Sequence, residues 1–240
     1  MKRTPKSPAK ASLLAFGAHP DDIEFGCGGI VASEMSAGRA VHFVICSRGE
    51  SGSKGDARQR AGEARRSAAL LGATVEFLEL GGDAHFEVSA SRSIRLARVL
   101  RRVRPGIVLA PSVVGNQHPD HARLGAMVRD ASRLARYGGV KELRALASHR
   151  IGALFYYAIT PEAEPKDVVP VLVDISAPKI LATWISAMQA HRSQVSALPY
   201  VELQLARARL RGLQCGVGHA MALFPNDPVV IDSLDQVIRS

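Results

Sequence analysis

With 240 residues, 25.6 kDa, 47% apolar residues and a mean hydropathy of +0.04, the chain has the makeup of a soluble globule able to bury a core without disulfide staples. No apolar run approaches the roughly 20 residues needed to span a bilayer, and Cys27, Cys46 and Cys215 show no CxxC spacing, which suits a reducing cytoplasm. The net charge of +9 invites nucleic acid as a partner, but aromatic content of 5% gives no platform for stacking bases.

Residues 1–10 are basic, contain Pro5 and Pro8, and read as a disordered tail, leaving 11–240 as a single domain. The apolar run 13–16 reads as a buried strand, followed by helical spacing over 30–37 and a second strand over 41–46. A polar, glycine-rich loop spans 47–55; it lacks the Gly-Lys-Ser/Thr ending of a phosphate cradle. Asp56 is an expected N-cap, Ala61, Ala64, Ala68 and Leu71 mark the buried face of the next helix, and Gly72 is its stop. A third strand is expected over 75–80, ending at Gly81-Gly82-Asp83.

The next helix carries Arg95, Arg98 and Arg102 beside Leu96, Val99, Leu100 and Val103, the pattern of an amphipathic helix with a solvated basic face. A fourth strand over 107–110 stops at Pro111, and the loop 112–117 leads to another helix that ends at Gly138-Gly139. Beyond it, strands are expected over 154–159, 171–175 and 217–224, with helices over 178–191 and 201–211. Strands and helices alternate, and the strands are almost continuously apolar. That order argues for an α/β fold, a Rossmann-like three-layer sandwich with a mostly parallel central sheet.

Two clusters stand out, each directly after a strand. The first is Ala18-His19-Pro20-Asp21-Asp22-Ile23-Glu24; the second is His118-Pro119-Asp120-His121. In open α/β sheets, sites form outside the carboxyl ends of the strands, so both clusters should meet at that edge. His19 and Asp22 are three apart, as are His118 and His121, so a single turn can aim each pair at one point. Imidazole and carboxylate are zinc ligands, and a catalytic site keeps three of them with an exchangeable position. A carboxylate left over can take a proton from water, and a free imidazolium can stabilise an oxyanion or protonate a leaving nitrogen. This spacing points to a metal hydrolase; the alternative is two unrelated histidine clusters at helix N-termini. Cys27, between glycines, is expected to pack rather than ligate, and His191 and His219 are expected to be structural.

Ala-His-Pro-Asp-Asp-Ile-Glu-x-Gly-x-Gly-Gly together with His-Pro-Asp-His resembles the LmbE/PIG-L-like family of zinc-dependent N-deacetylases. Ser47-Arg48-Gly49-Glu50, Arg60-Ala61-Gly62-Glu63, Leu80-Gly81-Gly82-Asp83, Asp174-Ile175-Ser176, Lys179 and Ser193-Gln194 extend the similarity along most of the chain. The layout is most similar to the subgroup that deacetylates N-acetylglucosaminyl-malate in bacillithiol biosynthesis. The resemblance implies that His19, Asp22 and His121 bind Zn²⁺, with Fe²⁺ compatible with the same ligands. It implies Asp21 as general base on the attacking water, His118 as oxyanion stabiliser and acid, and Asp120 orienting His118. Arg60 and Asp83 would contact substrate, Arg60 an anionic aglycone and Asp83 sugar hydroxyls, while Glu24 and Glu50 would support the loops.

The implied partner is a small N-acetylated sugar conjugate rather than nucleic acid or membrane. A trimer or hexamer follows only by analogy. Two alternatives remain: a zinc amidase on another acylated amine, of the mycothiol-conjugate type, and a catalytically silent sugar- or anion-binding homologue. Met221 stands where many relatives carry Glu, which bears on the expected pocket rim.

Overall fold

A computed structural model describes residues 10–115, 118–196, 199–233 and 235. The tail expected over 1–10 therefore lies outside the described residues except for Lys10, as do the last two residues of the loop expected over 112–117. The chain alternates β1 (Leu13–Gly17), α1 (Asp22–Ser36), β2 (Val41–Ile45), α2 (Ala57–Leu71), β3 (Thr74–Phe77), α3 (Ala90–Val103), β4 (Ile107–Pro111) and α4 (Pro119–Arg136). It continues through β5 (Ala153–Tyr157), β6 (Val171–Asp174), α5 (Pro178–Gln189), the short α6 (Arg192–Val195), α7 (Tyr200–Gln214) and β7 (Ala220–Pro225). Seven strands form a sheet in the order β3-β2-β1-β4-β5-β7-β6. Pairing is parallel from β3 to β5, and β7 runs antiparallel to both β5 and β6.

Strand alternation sorts the core into two layers. Leu13, Ala15, Phe43 and Ile45 face one cluster with Ile30, Trp184 and Met188, whereas Leu14, Phe16, Val44 and Val108 face another with Leu96, Leu100, Leu124 and Met127. Both sheet faces are thus covered by helices, the three-layer arrangement expected from the apolar strands. Among the described residues, no helix is long and apolar enough to cross a membrane.

Several boundaries differ from the sequence reading. The helix expected over 30–37 begins at Asp22, so the first cluster sits on its opening turn. The third strand ends at Phe77, and α4 ends at Arg136, before the glycine pair. Asp56 does cap α2, its side chain accepting from Gln59 N, and Gly72 closes that helix at φ 77°. On α3, Arg98 donates to Glu142 O at 2.6 Å, and Arg102 pairs with Glu76. Arg101, outside the solvated stripe, is buried and donates to the carbonyls of Ala135, Tyr137, Leu143 and Leu146. It closes off α4 by satisfying carbonyls that the helix end leaves unpaired.

Helix α1 lies close to its neighbours because it presents glycine. A Cβ at Gly26 would sit 2.1 Å from Tyr157 Cδ2, and one at Gly29 would sit 2.8 Å from Met221 Sδ. Tyr157 uses that space to donate from its hydroxyl to Phe16 O at 2.7 Å, and Trp184 Nε1 donates to Glu24 O at 2.8 Å. The helix carrying the first cluster is thereby fixed to β1, β5 and α5.

Candidate metal-centred active site

Strands β1 and β4 are adjacent and parallel, so the segments leaving their carboxyl ends emerge side by side. The two clusters meet there: His19 Nδ1 lies 3.1 Å from His121 Nε2. Asp22 stands between them. Its Oδ2 accepts from the backbone N–H groups of Ala18 and His19, both at 2.8 Å, which leaves Oδ1 3.0 Å from His121 Nε2. His19 Nδ1 is 3.6 Å from Asp22 Oδ2. Bonds of about 2.0–2.1 Å to one tetrahedral zinc would place its ligand atoms about 3.3–3.4 Å apart. Asp22 meets His121 through Oδ1 and His19 through Oδ2, and all three separations lie close to that value, so the side chains converge on one region.

The electrostatics fit a cation as well. Burial pulls the His19 imidazole down, but Asp22, Asp120 and Asp83 together outweigh it and hold its pKa well above the usual value. Asp22 is held well below the carboxylate range by His121 and His19, against the effect of its own burial. A proton on His19 occupies the charge balance that a divalent ion would take over. His121 Nδ1 is also buried without a hydrogen-bond partner, and His19 Nε2 meets only the ion-pair approach of Asp83 Oδ1 at 2.9 Å. His19 belongs to a second group of convergent ligand atoms, with Asp83, His118 and Asp120.

Asp21 sits one residue before the helix, at φ 147° and ψ −22°. That conformation is strained for a residue with a side chain, at a cost of about 1–3 kcal/mol. Its side chain lines the cavity together with that of Asp22. Burial and the Asp22 charge push the Asp21 carboxyl up to about 6, against the pull of Arg60, His191 and His19. Arg60 is buried: Nη1 donates to Gly49 O at 2.9 Å and Nη2 lies 3.4 Å from Asp21 Oδ2. Its two terminal nitrogens thus face Gly49 and Asp21, and the side chain borders the cavity.

His118 caps α4, its Nδ1 accepting from Asp120 N at 3.3 Å. The accepting nitrogen carries no hydrogen, so the ring proton sits on Nε2, on a side chain 40% exposed. Burial, with the charges of His19 and His121, lowers the pKa of His118. It therefore stands as a neutral donor rather than the imidazolium expected from sequence. The Asp120 carboxylate accepts from Ala84 N at 2.7 Å and Phe86 N at 3.3 Å. The expected orienting of His118 thus runs through the Asp120 backbone N–H, and its carboxylate fixes the neighbouring loop instead.

Asp83 lies on that loop, where Gly81, Gly82 and Ala84 all take positive φ. Its Oδ2 accepts from Ser51 N at 3.2 Å, and its backbone N–H donates to Glu50 Oε1 at 3.2 Å. Its Oδ1 faces His19 Nε2 at 2.9 Å.

These groups open onto a cavity of about 450 Å³, whose lining adds Phe25, Ser51, Ile159, Thr160, Gln194 and Tyr200. Phe25 and Tyr200 form an aromatic pair with centroids 5.4 Å apart. Neither residue carries a sequence signal, because apolar positions on a helix read as core. Gln194 is delivered by the segment after α5, held where Ser193 Oγ donates to Glu63 Oε2 at 2.6 Å. His191 is fully buried and faces Glu24 Oε1 at 3.3 Å. Cys27 is fully buried in the apolar core. Met221 is buried beneath Gly29 and lines a separate small cavity, so it does not form the rim expected of it from sequence.

A Rossmann-like α/β sandwich with a His/Asp cluster at the carboxyl edge of its sheet is the class that these features define. Residues 14–132 match the PIG-L family, described as GlcNAc-PI de-N-acetylase, and the chain belongs to this family. It is 31% identical over 172 residues to 4-oxalmesaconate hydratase of Pseudomonas putida, an alignment covering 67% of this chain and 64% of that protein. It is 29% identical over 198 residues to diacetylchitobiose deacetylase of Thermococcus kodakarensis, covering 76% and 69% respectively. Among solved structures, a conserved protein of Thermus thermophilus superposes with a TM-score of 0.81 at 31% identity, over 92% of this chain and 97% of that one.

Proposed function

We propose that the protein is a metal-dependent hydrolase that removes an acetyl group from the nitrogen of an N-acetylated amino sugar. The observation that carries this reading is the buried, proton-avid Asp21 beside the convergent His19, Asp22 and His121, at the floor of an open cavity. His19, Asp22 and His121 would hold the ion, with zinc suited to the donor set and iron(II) compatible. A divalent ion bound there supplies Lewis-acid polarisation and brings the pKa of water down to about 7.

This chain's own groups supply the rest. Asp21 takes a proton from the attacking water and returns it to the leaving nitrogen. Its raised pKa matches both halves of that exchange near neutral pH. His118 Nε2–H donates to the oxygen that gains negative charge as the amide carbon becomes tetrahedral. Arg60 holds Asp21 in place. The aromatic pair Phe25 and Tyr200 gives a sugar ring an apolar face to lie against, and Ser51 and Gln194 offer polar contacts to its hydroxyls.

Arg60 faces Gly49 O and Asp21 with its terminal nitrogens, which reduces what it can offer an anionic aglycone such as malate. The neutral sugar is the better-supported substrate. Acetate release from N-acetylglucosamine, diacetylchitobiose and N-acetylglucosaminyl-malate, paired with metal analysis, tests the reading. No acetate from any of the three by the metal-loaded protein would overturn it. The identity with a hydratase favours one second reading, addition of water to an unsaturated acid. That reaction uses Asp21 in the same way but has no leaving nitrogen, and an unsaturated dicarboxylic acid in the substrate panel separates the two.

A further inference from the structure

The loop that carries Asp83 is built with unusual insistence. Gly81 at φ 106°, Gly82 at φ 94° and Ala84 at φ 66° bend the backbone through left-handed conformations on both sides of one carboxylate. Ala84 has no glycine freedom, so this turn holds strain that the surroundings must maintain. They do so with Glu50 on the Asp83 backbone N–H, Ser51 N on Oδ2, Ser51 Oγ on the Asp83 carbonyl at 2.9 Å, and Asp120 on the Ala84 N–H. The result leaves Asp83 4% exposed, with the remaining oxygen, Oδ1, 2.9 Å from His19 Nε2. This carboxylate borders the cavity and is held against an imidazole edge.

That edge is the one the ligand set does not use. His19 directs Nδ1 toward Asp22 and His121, and Nε2 toward Asp83, with Asp120 Oδ2 further off at 3.7 Å. A histidine that ligates through one nitrogen must carry its proton on the other, and a carboxylate on that proton fixes the tautomer and raises ligand basicity. We propose that Asp83 is a positioning residue for the metal ligand His19, setting its tautomer and its affinity for the ion.

This inference rests on the assignment of His19, Asp22 and His121 as ligands, and the experiment separates the two. Metal-stripped full-length protein is titrated with Zn²⁺ against a chromophoric chelator, for the wild type, Asp83→Asn and Ser51→Ala. Wild type taking up no tight equivalent would overturn the ligand assignment itself. With one tight equivalent in the wild type, Asp83→Asn is expected to weaken the ion by roughly 10–100-fold. Ser51→Ala, which removes one of the bonds that pin Asp83, should weaken it less and in the same direction.

Cobalt(II) substituted into Asp83→Asn should show a shifted visible spectrum, reporting a changed ligand field that a defect in sugar binding would not produce. Melting curves of the metal-free proteins establish that the variants fold. Unchanged zinc affinity in both variants, with only KM raised in Asp83→Asn, would overturn the proposal and return Asp83 to the substrate.

Discussion

Arg60 Nη2 lies 3.4 Å from Asp21 Oδ2, joining the first turn of α2 to the strained residue at the mouth of α1. Arg60 is among the groups that oppose the upward push of burial on the Asp21 carboxyl. Arg60→Gln should therefore raise the pKa of Asp21 further and move the acid limb of the kcat/KM profile to higher pH. Pre-steady-state and pH-rate measurements on a neutral substrate check this. An unshifted profile with a raised KM for anionic substrates alone would instead assign Arg60 to the aglycone.

Asp21→Asn is expected to lower kcat by about 10²–10⁴-fold while leaving the ion bound, since the proton carrier goes and the ligands stay. Its effect on stability has the opposite sign. A carboxyl whose folded pKa, about 6, exceeds its unfolded value of 3.8 binds protons more tightly when folded, so ionisation works against the fold as pH rises through that window. The shift of about two units corresponds to about 3 kcal/mol, as an upper figure. The metal-free variant should melt above the metal-free wild type at pH 8, and the difference should shrink toward pH 4.

His121→Ala removes one of the three convergent donors and should reduce zinc retained after dialysis to well below one equivalent. Ligand binding to the native state stabilises by mass action, by about 2.7 kcal/mol at a hundredfold excess over Kd. Zinc should thus raise the melting temperature of the wild type and leave that of His121→Ala unmoved. Equal thermal shifts in the two proteins would contradict the ligand role.

Gly26→Ala places a Cβ 2.1 Å from Tyr157 Cδ2, inside a contact that neither partner can relieve without moving. Overpacking of this kind costs about 1–3 kcal/mol. Denaturant unfolding should show that loss, together with reduced zinc affinity, because α1 carries Asp22. Retained metal affinity in a destabilised variant would show that the helix can shift without its ligand.

The parallel α/β order is legible in the apolar strands because each must be covered on both faces, and the meeting of His19 with His121 follows from both clusters succeeding strands. Side-chain direction is not legible. Nothing in the spacing tells that Arg60 points back at Asp21, or that the Asp120 carboxylate serves the backbone of Ala84 and Phe86 while its N–H serves His118. Those outcomes depend on loops whose backbone takes left-handed turns, and local propensity carries little information about them. The position of Met221 escapes the sequence for a related reason. Strand alternation decides which face it joins, and β7 begins at Ala220 rather than at Val217.

Tyr157 at Gly26, Met221 at Gly29 and Trp184 on the Glu24 carbonyl grip one helix on several sides. Such a grip removes the freedom of α1 to slide or roll when cargo arrives. The geometry around Asp22 is consequently settled during folding, and capture of the ion needs little rearrangement of the scaffold. Speed of uptake should then be governed by how fast the ion sheds its own water, with no slow protein step ahead of it.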